Sequence, residues 1–401
     1  MSYLVLARKW RPQTFQDVIG QEHVVRTIAN AIKMDRVAHA YLFCGARGVG
    51  KTTTARLLAK ALNCEKGPTA DPCGQCQPCQ EIAAGSSIDV AEIDGASHNG
   101  VENVREIREN AKYLPQRDRH KIYIIDEVHM LSGAAFNALL KTLEEPPGHV
   151  KFIFATTEPQ KLPDTIVSRC QRHNFRRITP ARILERLKQI CQAEGVAISE
   201  SSLALIVRQS EGAMRDALSL LDQIVSACGG SASDEAVIEA LGAIDQTIVH
   251  QFAQALVRRD PKALLEQSEE AFIRGVDLKR LAEEVAFELR HVFIAKALGQ
   301  APSELPETEQ KSVLALAREA EPAQLARMFD VVLGSVAEIA KSPQPRISFE
   351  MSLLKAIQLA PGASIPDLLE KVERLSAAVG SAEPKKIGAP GGRSEQPSFR
   401  A

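Results

Sequence analysis

The sequence predicts an α/β domain with a mostly parallel sheet, followed by a long succession of helices. Three observations predict it. Short apolar runs alternate with helical periodicity up to about residue 179, strand signals stop from Pro180 onward, and a glycine-rich turn lies between the first strand and its helix. In such a sheet ligands bind at the carboxyl ends of the strands.

Taken in order, the apolar runs at residues 40–44, 88–93, 121–125 and 151–155 read as strands, and residues 53–62 read as the helix that follows the glycine-rich turn. After Pro180, amphipathic patterns at about 181–194, 202–210 and 214–227 predict a small helical subdomain. The Gly-Gly-Ser-Ala-Ser stretch at 229–233 reads as a loop, and helical patterns resume from about 234 to 359. One short amphipathic stretch, 366–378, interrupts an Ala, Pro, Gly and Ser-rich end, and the last 23 residues are expected to be disordered. The expected domains are therefore 1–179, 180–242 and 243–360, with 361–401 as a linker.

The chain has 401 residues, enough for two or three domains that each bury a core. A hydrophobic content of 45% with only 4% aromatics describes a helix-rich globular protein rather than a fibrous one. No apolar run approaches the roughly 18 residues needed to span a bilayer, and Met1-Ser2-Tyr3-Leu4 lacks a signal-peptide core, so no membrane partner and a cytoplasmic location are expected. The net charge of -1 does not favour a polyanionic partner, yet residues 1–60 hold ten Lys/Arg against three Asp/Glu, and 161–190 hold eight against two. These segments either face one polyanion or are solvated faces and phosphate loops.

The turn itself is Gly45, Ala46, Arg47, Gly48, Val49, Gly50, Lys51, Thr52 and Thr53, the spacing of a phosphate-binding Walker A loop. Its glycines let backbone N–H groups curl around phosphates while the helix N-terminus adds positive potential. Lys51 is placed to reach the β and γ phosphates of ATP, and Thr52 to coordinate Mg²⁺. Some seventy residues on, Ile122-Tyr123-Ile124-Ile125 ends in Asp126 and Glu127, the form of a Walker B strand. Asp126 would hold the Mg²⁺, and Glu127 would orient and polarise the attacking water. Thr157, at the end of the next strand, is a candidate sensor of the γ-phosphate.

Cys64, Cys73, Cys76 and Cys79 form C-x8-C-x2-C-x2-C in a Gly/Pro-rich insertion. Four thiolates satisfy tetrahedral Zn²⁺ and leave no position for water, which points to a structural Zn²⁺. An iron–sulfur cluster is the competing reading. Cys44, Cys170, Cys191 and Cys228 are scattered at apolar or motif positions and read as small hydrophobes.

Beyond single motifs, Arg8-Lys9-Trp10-Arg11-Pro12 with Asp17-Val18-Ile19-Gly20-Gln21, the loop at 45–52, Ile125-Asp126-Glu127-Val128-His129-Met130, the Ala-Leu-Leu-Lys-Thr-Leu-Glu-Glu-Pro run at 138–146, and Ser168-Arg169-Cys170 occur together. This combination resembles the tau/gamma family of bacterial DNA polymerase III clamp-loader ATPases, of the AAA+ type, over residues 1 to about 360. The resemblance implies a P-loop AAA+ domain, a helical lid and an all-α collar through which subunits assemble as a ring of five, this chain with delta and delta-prime type subunits. It implies that ATP binding and hydrolysis load a sliding clamp onto primed DNA held without sequence reading.

By the same resemblance Arg169 is an arginine finger reaching a neighbour's ATP, although by residue type alone it equally suits a surface ion pair. Arg215 is the lid's second sensor. Pro12, Val18 and Ile19 pack around the adenine, and the cysteine metal is zinc. The helix after Asn99, carrying Arg105, is a candidate for the DNA path, with His98 and Gly100 leaving it less basic than a phosphate-binding face. No carboxylate set for nucleotide addition is evident beyond those serving ATP. Two rivals are a branch-migration type of AAA+ motor, against which the cysteine cluster and Ser-Arg-Cys speak, and a non-hydrolysing scaffold, against which the intact Lys51, Asp126, Glu127 and Arg169 speak.

Overall fold

The computed structural model describes residues 4–302, 305, 307–358 and 373–374. The chain divides into two compact units, the first ending at Ala243 and the second starting at Ile244.

In chain order the first unit contains α1 (Leu6–Lys9), α2 (Glu22–Lys33), β1 (Ala40–Cys44), α3 (Lys51–Asn63), α4 (Gln77–Ala84), β2 (Val90–Asp94) and α5 (Val101–Asn110). It continues with β3 (Lys121–Asp126), α6 (Gly133–Glu144), β4 (Val150–Thr156), α7 (Asp164–Val167) and β5 (Gln171–Asn174). The strands form one parallel sheet in the order β2-β3-β4-β1-β5. β1 sits inside the sheet, and all five of its residues are buried.

Side-chain alternation explains the burial on both faces. Tyr41, Phe43, Ile122, Ile124, Ile153 and Ala155 join one core with α2 and α3, whereas Ala40, Leu42, Tyr123, Ile125, Phe152 and Phe154 join the other with α5 and α6. A buried parallel sheet of this kind leaves only its strand ends free for chemistry.

β5 is absent from the sequence expectation, and its composition explains why. Gln-Arg-His-Asn is polar, and only His173 is buried, its ring stacked on Tyr41 at 5.9 Å. As an edge strand it needs no apolar alternation.

After Pro180 come α8 (Pro180–Glu194), β6 (Ala197–Ile198), α9 (Glu200–Gln209), α10 (Met214–Cys228), β7 (Ser231–Ala232) and α11 (Asp234–Leu241). Here the expectation that strands end at Pro180, with 229–233 a loop, needs correction: β6 and β7 pair in parallel over two residues each. A two-residue ladder carries no periodic signal. It is held by the contacts beside it, where the Asp234 carboxylate accepts hydrogen bonds from Ser199, Ser201 and Ser202.

The second unit contains α12 (Gln246–Arg258), α13 (Pro261–Ile273), α14 (Leu278–Leu298), α15 (Glu307–Glu319), α16 (Pro322–Lys341) and α17 (Pro345–Gln358). Asp245, Asp260 and Asp277 cap three of these helices by accepting from free N–H groups of the first turn. Its core centres on Phe252 and Phe349, packed edge to face at 5.7 Å. Glu288 is also buried there, between His250 at 2.9 Å and His291 at 3.7 Å. Burial alone would raise its pKa, but the hydrogen bonds and charges of the two histidines hold the carboxyl down to about 2.

Of the expected 366–378 stretch, only Glu373 and Arg374 are among the described residues; the expected disordered end and the 361–401 linker otherwise lie outside them. Among the described residues no helix is long and apolar enough to cross a membrane.

Candidate active site and metal centre

β1 ends at Cys44, and the chain turns through residues 45–50 into α3. Gly50 starts this helix at φ 103°, where a side chain would be strained, and the space beside it is open. The first N–H groups of α3 have no helical partner and face the turn, as an anion site requires. Gly48 is constrained differently: a Cβ there would meet the Ala213 Cβ at 2.9 Å, so the loop and the start of α10 touch closely. The Arg215 N–H also donates to the Gly48 carbonyl at 3.3 Å.

Above the loop lies a cleft of about 710 Å³, lined by Pro12, Val18, Ile19, Arg47, Gly48, Val49, Gly50, Lys51, Thr52, Thr53, Asp126, Glu127 and Arg215 among others. That volume lies within the ordinary range for small-molecule sites. Its lining includes the apolar side chains of Trp10, Pro12, Val18, Ile19, Ile178, Met214 and Leu218. It also includes the carboxylates Asp17, Glu92, Asp94, Asp126 and Glu127.

Lys51 is 5% exposed, and its ammonium donates to the carbonyls of Gly45 (2.9 Å) and Ala46 (2.8 Å). Burial lowers its pKa, while Glu127 and Asp126 pull it upward. The Thr52 hydroxyl donates to Asp126 Oδ2 at 2.6 Å, which joins the two oxygens expected to share a Mg²⁺. A hydroxyl and a carboxylate are hard oxygen donors of the kind that cation selects. Glu127 stands at φ 46°, a left-handed conformation rare for a non-glycine residue and common at functional sites. Its Oε2 accepts from the Thr157 N–H (3.3 Å) and hydroxyl (3.1 Å).

Not every expected residue faces the cleft. Gly45, Ala46 and Thr157 are not among its lining residues; Thr157 stands behind Glu127, one residue past β4. Arg169 also lies elsewhere: its guanidinium donates to the Thr165 carbonyl (2.8 Å), to Ser168 (3.4 Å) and to Glu144 (2.8 Å) on the surface. Arg105 is paired with Glu102, and Arg108 and Lys112 with Glu109, so the α5 face is largely neutralised.

Sequence reasoning assigned nothing to Trp10, Arg11, Glu92, Asp94 or Arg186, all of which line the cleft. Arg11 is half-buried; burial and then Arg56 lower its pKa, and Arg215 and Arg8 add to the repulsion. An anion in the cleft would relieve that repulsion. Glu92 forms a two-pronged pair with Arg56, at 2.7 and 3.0 Å. A carboxylate flanked by apolar residues inside the strand Val-Ala-Glu-Ile-Asp was the available signal.

The cysteine cluster assembles from the end of α3 and the start of α4. Cys64 and Cys79 are fully buried, and the four sulfurs lie within 4.8 Å of one another. Tetrahedral zinc with Zn–S near 2.3 Å needs sulfurs roughly 3.8 Å apart, so small adjustments suffice and the donor set fits. Backbone N–H groups of Gln75 and Cys76 pull the Cys73 thiol down to about 6, toward the thiolate a metal needs. All eight cysteines are free of disulfides. Cys44 and Cys191 are buried, whereas Cys170 and Cys228 are half-buried.

Comparison with known proteins places this geometry. Escherichia coli strain K12 DNA polymerase III subunit tau is 44% identical over 367 residues, 92% of this chain and 57% of that one. The Bacillus subtilis subunit tau is 43% identical over 385 residues, 94% of this chain and 68% of that one. Buchnera aphidicola subunit gamma is 40% identical over 358 residues, which are 89% of this chain and 99% of that one.

The chain belongs to the tau/gamma family of DNA polymerase III subunits.

Three family models divide this tau/gamma chain: DNA polymerase III, delta subunit, over residues 20–179; the clamp loader subunit ATPase lid domain over 182–230; and subunits gamma and tau domain III over 232–375. α8, α9 and α10 thus correspond to the lid, and the cleft lies where α10 meets the phosphate loop. Some tau/gamma relatives are longer, and the chain spans only 57% of the Escherichia coli and Salmonella typhimurium tau subunits. Among solved structures, the Thermotoga maritima RuvB Holliday junction branch migration motor aligns with a TM-score of 0.45 at 19% identity, covering 67% of this chain and 86% of that one. That likeness is too distant to bear on function.

Proposed function

We propose that this chain is an ATP-hydrolysing motor subunit of a clamp loader, which uses ATP binding and hydrolysis to place a sliding clamp on primed DNA. The observation that carries the reading is the convergence of Lys51, Thr52, Asp126 and Glu127 on one cleft that apolar side chains also line.

In this reading ATP lies with its adenine against Pro12, Val18 and Ile19 and its phosphates on the N–H groups of residues 48–53. Lys51 exchanges its carbonyl partners for the β and γ phosphates, where both partners are charged rather than the ammonium alone. A Mg²⁺ held by Thr52 and Asp126 would supply charge neutralisation at the β and γ oxygens. Glu127 orients the attacking water and accepts its proton as the γ-phosphoryl transfers to water. Thr157 fixes the Glu127 carboxylate, and Arg215 brings the lid to the phosphates from within the same chain.

Arg169 serves a neighbour: it would leave its exposed pair with Glu144 for the adjacent subunit's γ-phosphate, making hydrolysis depend on assembly. The ring is of five, this chain with delta and delta-prime type subunits. Its substrate DNA is gripped through phosphates without base reading. Zn²⁺ on Cys64, Cys73, Cys76 and Cys79 staples an insertion with little core of its own. The chain performs no polymerase chemistry itself, and it works in the cytoplasm, away from membranes.

ATP turnover with clamp, with primed DNA and with both tests the function. A loader shows synergy between the two ligands; additive or absent stimulation contradicts this reading.

A further inference from the structure

Between the Walker B strand and the end of β4 lies a side chain that the mechanism has not used. His129 sits in a short 3-10 turn, Val128–Met130, directly after Glu127, and its side chain is only 6% exposed. Its Nδ1 lies 3.1 Å from the Thr156 hydroxyl and 3.4 Å from Glu127 Oε2. Its Nε2 lies 3.3 Å from Glu158 Oε1, which also pairs with Lys161 at 2.9 Å. Thr156 is fully buried, and its hydroxyl also accepts the Glu158 N–H at 3.0 Å.

Three groups therefore surround Glu127 Oε2: the Thr157 N–H, the Thr157 hydroxyl and His129 Nδ1. Thr157 approaches from β4. His129 shares the short turn with Glu127, so its ring position is tied to the strained backbone that aims the carboxylate. A catalytic base must be held closely, since displacement by about 1 Å can cost a hundredfold in rate.

We propose that His129 is a positioning residue for ATP hydrolysis: with its proton on Nδ1 it holds the Glu127 carboxylate, while the Thr156 hydroxyl fixes that edge of the ring. This rests on the ATPase reading above. It requires an Nδ1-side hydrogen-bonding group more than an imidazole as such. Asparagine can place its amide where Nδ1 lies, whereas glutamine places its amide where Nε2 lies.

The test measures kcat and KM for ATP, with thermal melting, in the assembled complex with clamp and primed DNA, for wild type, H129N and H129Q. H129N should keep kcat within about threefold, while H129Q should lower kcat at least about tenfold with KM unchanged, because binding is left intact. Equal kcat values for the two variants overturn the proposal, whether both are high or both low. So does a loss in H129Q that appears only in KM, or that follows a fall in melting temperature which H129N shares. A wild-type complex without turnover defeats the ATPase reading itself, whereas a wild-type rate in H129Q defeats only the positioning role.

Discussion

Replacing Arg169 by alanine should separate what this residue does inside its own chain from what it does for a neighbour. Within the chain its guanidinium makes one ion pair, with Glu144, between side chains that are 34% and 50% exposed, plus two local hydrogen bonds at the end of α7. An exposed pair of this kind contributes about 0.2–1 kcal/mol. Arg169→Ala should therefore cost at most about 1 kcal/mol, which lowers the melting temperature of a unit this size by about 2–4 °C. Arg169 does not line its own chain's cleft, so the affinity of the isolated chain for ATP should stay unchanged.

In an assembled ring the same change removes an arginine finger, worth about 10³–10⁵ in rate. Titration with a fluorescent ATP analogue measures the first property, and steady-state hydrolysis by the reconstituted complex the second. Mixing variant and wild-type chains then shows whose site is lost. A variant complex that turns over ATP at the wild-type rate, or an isolated variant that no longer binds it, would refute the assignment in trans.

Gly48→Val should disrupt the seam between phosphate loop and lid. Its Cβ would meet Ala213 at 2.9 Å, and a valine at φ 75° adds about 1–3 kcal/mol of strain, readable as a fall in melting temperature. Elemental analysis of the purified chain should find one zinc per molecule, and chelation or Cys79→Ser should make the insertion around residues 64–79 sensitive to protease; iron instead of zinc would revive the cluster alternative. Stability should fall in acid through Glu288. Because its carboxyl is depressed from 4.5 to about 2, its contribution is complete above 4.5 and is lost as pH falls through 2. The total is on the order of 3 kcal/mol, and Glu288→Gln should flatten that part of the pH–stability curve.

The parallel sheet was legible because buried strands read as unbroken apolar runs, and the phosphate loop because its glycines and Lys51 have few substitutes. β5 was not legible: an edge strand buries one side chain, His173, and its polar neighbours carry no period. The β6–β7 ladder was hidden for a related reason, since two residues cannot show alternation and Gly229 and Gly230 look like a loop in any context.

Within the site, residues whose chemistry is local to a motif were readable, among them Thr52, Asp126 and Glu127. Residues brought in from afar were named only through the family resemblance, as Pro12, Val18, Ile19 and Arg215 were, or not at all. Arg11 and Trp10 reach the cleft from the N-terminal segment and Arg186 from the lid, and only the folded chain joins them. Arg169 shows the opposite limit, since its proposed work belongs to an interface between chains, and by itself it makes an ordinary surface pair.

Binding of Mg²⁺ and ATP by the wild-type chain and by Lys51→Ala, measured by calorimetry, tests the central claim most directly. The account predicts one site per wild-type chain and a loss of affinity of at least about a hundredfold in the variant, since a buried ammonium that would pair with two phosphates is gone. Equal affinities in the two proteins would contradict it.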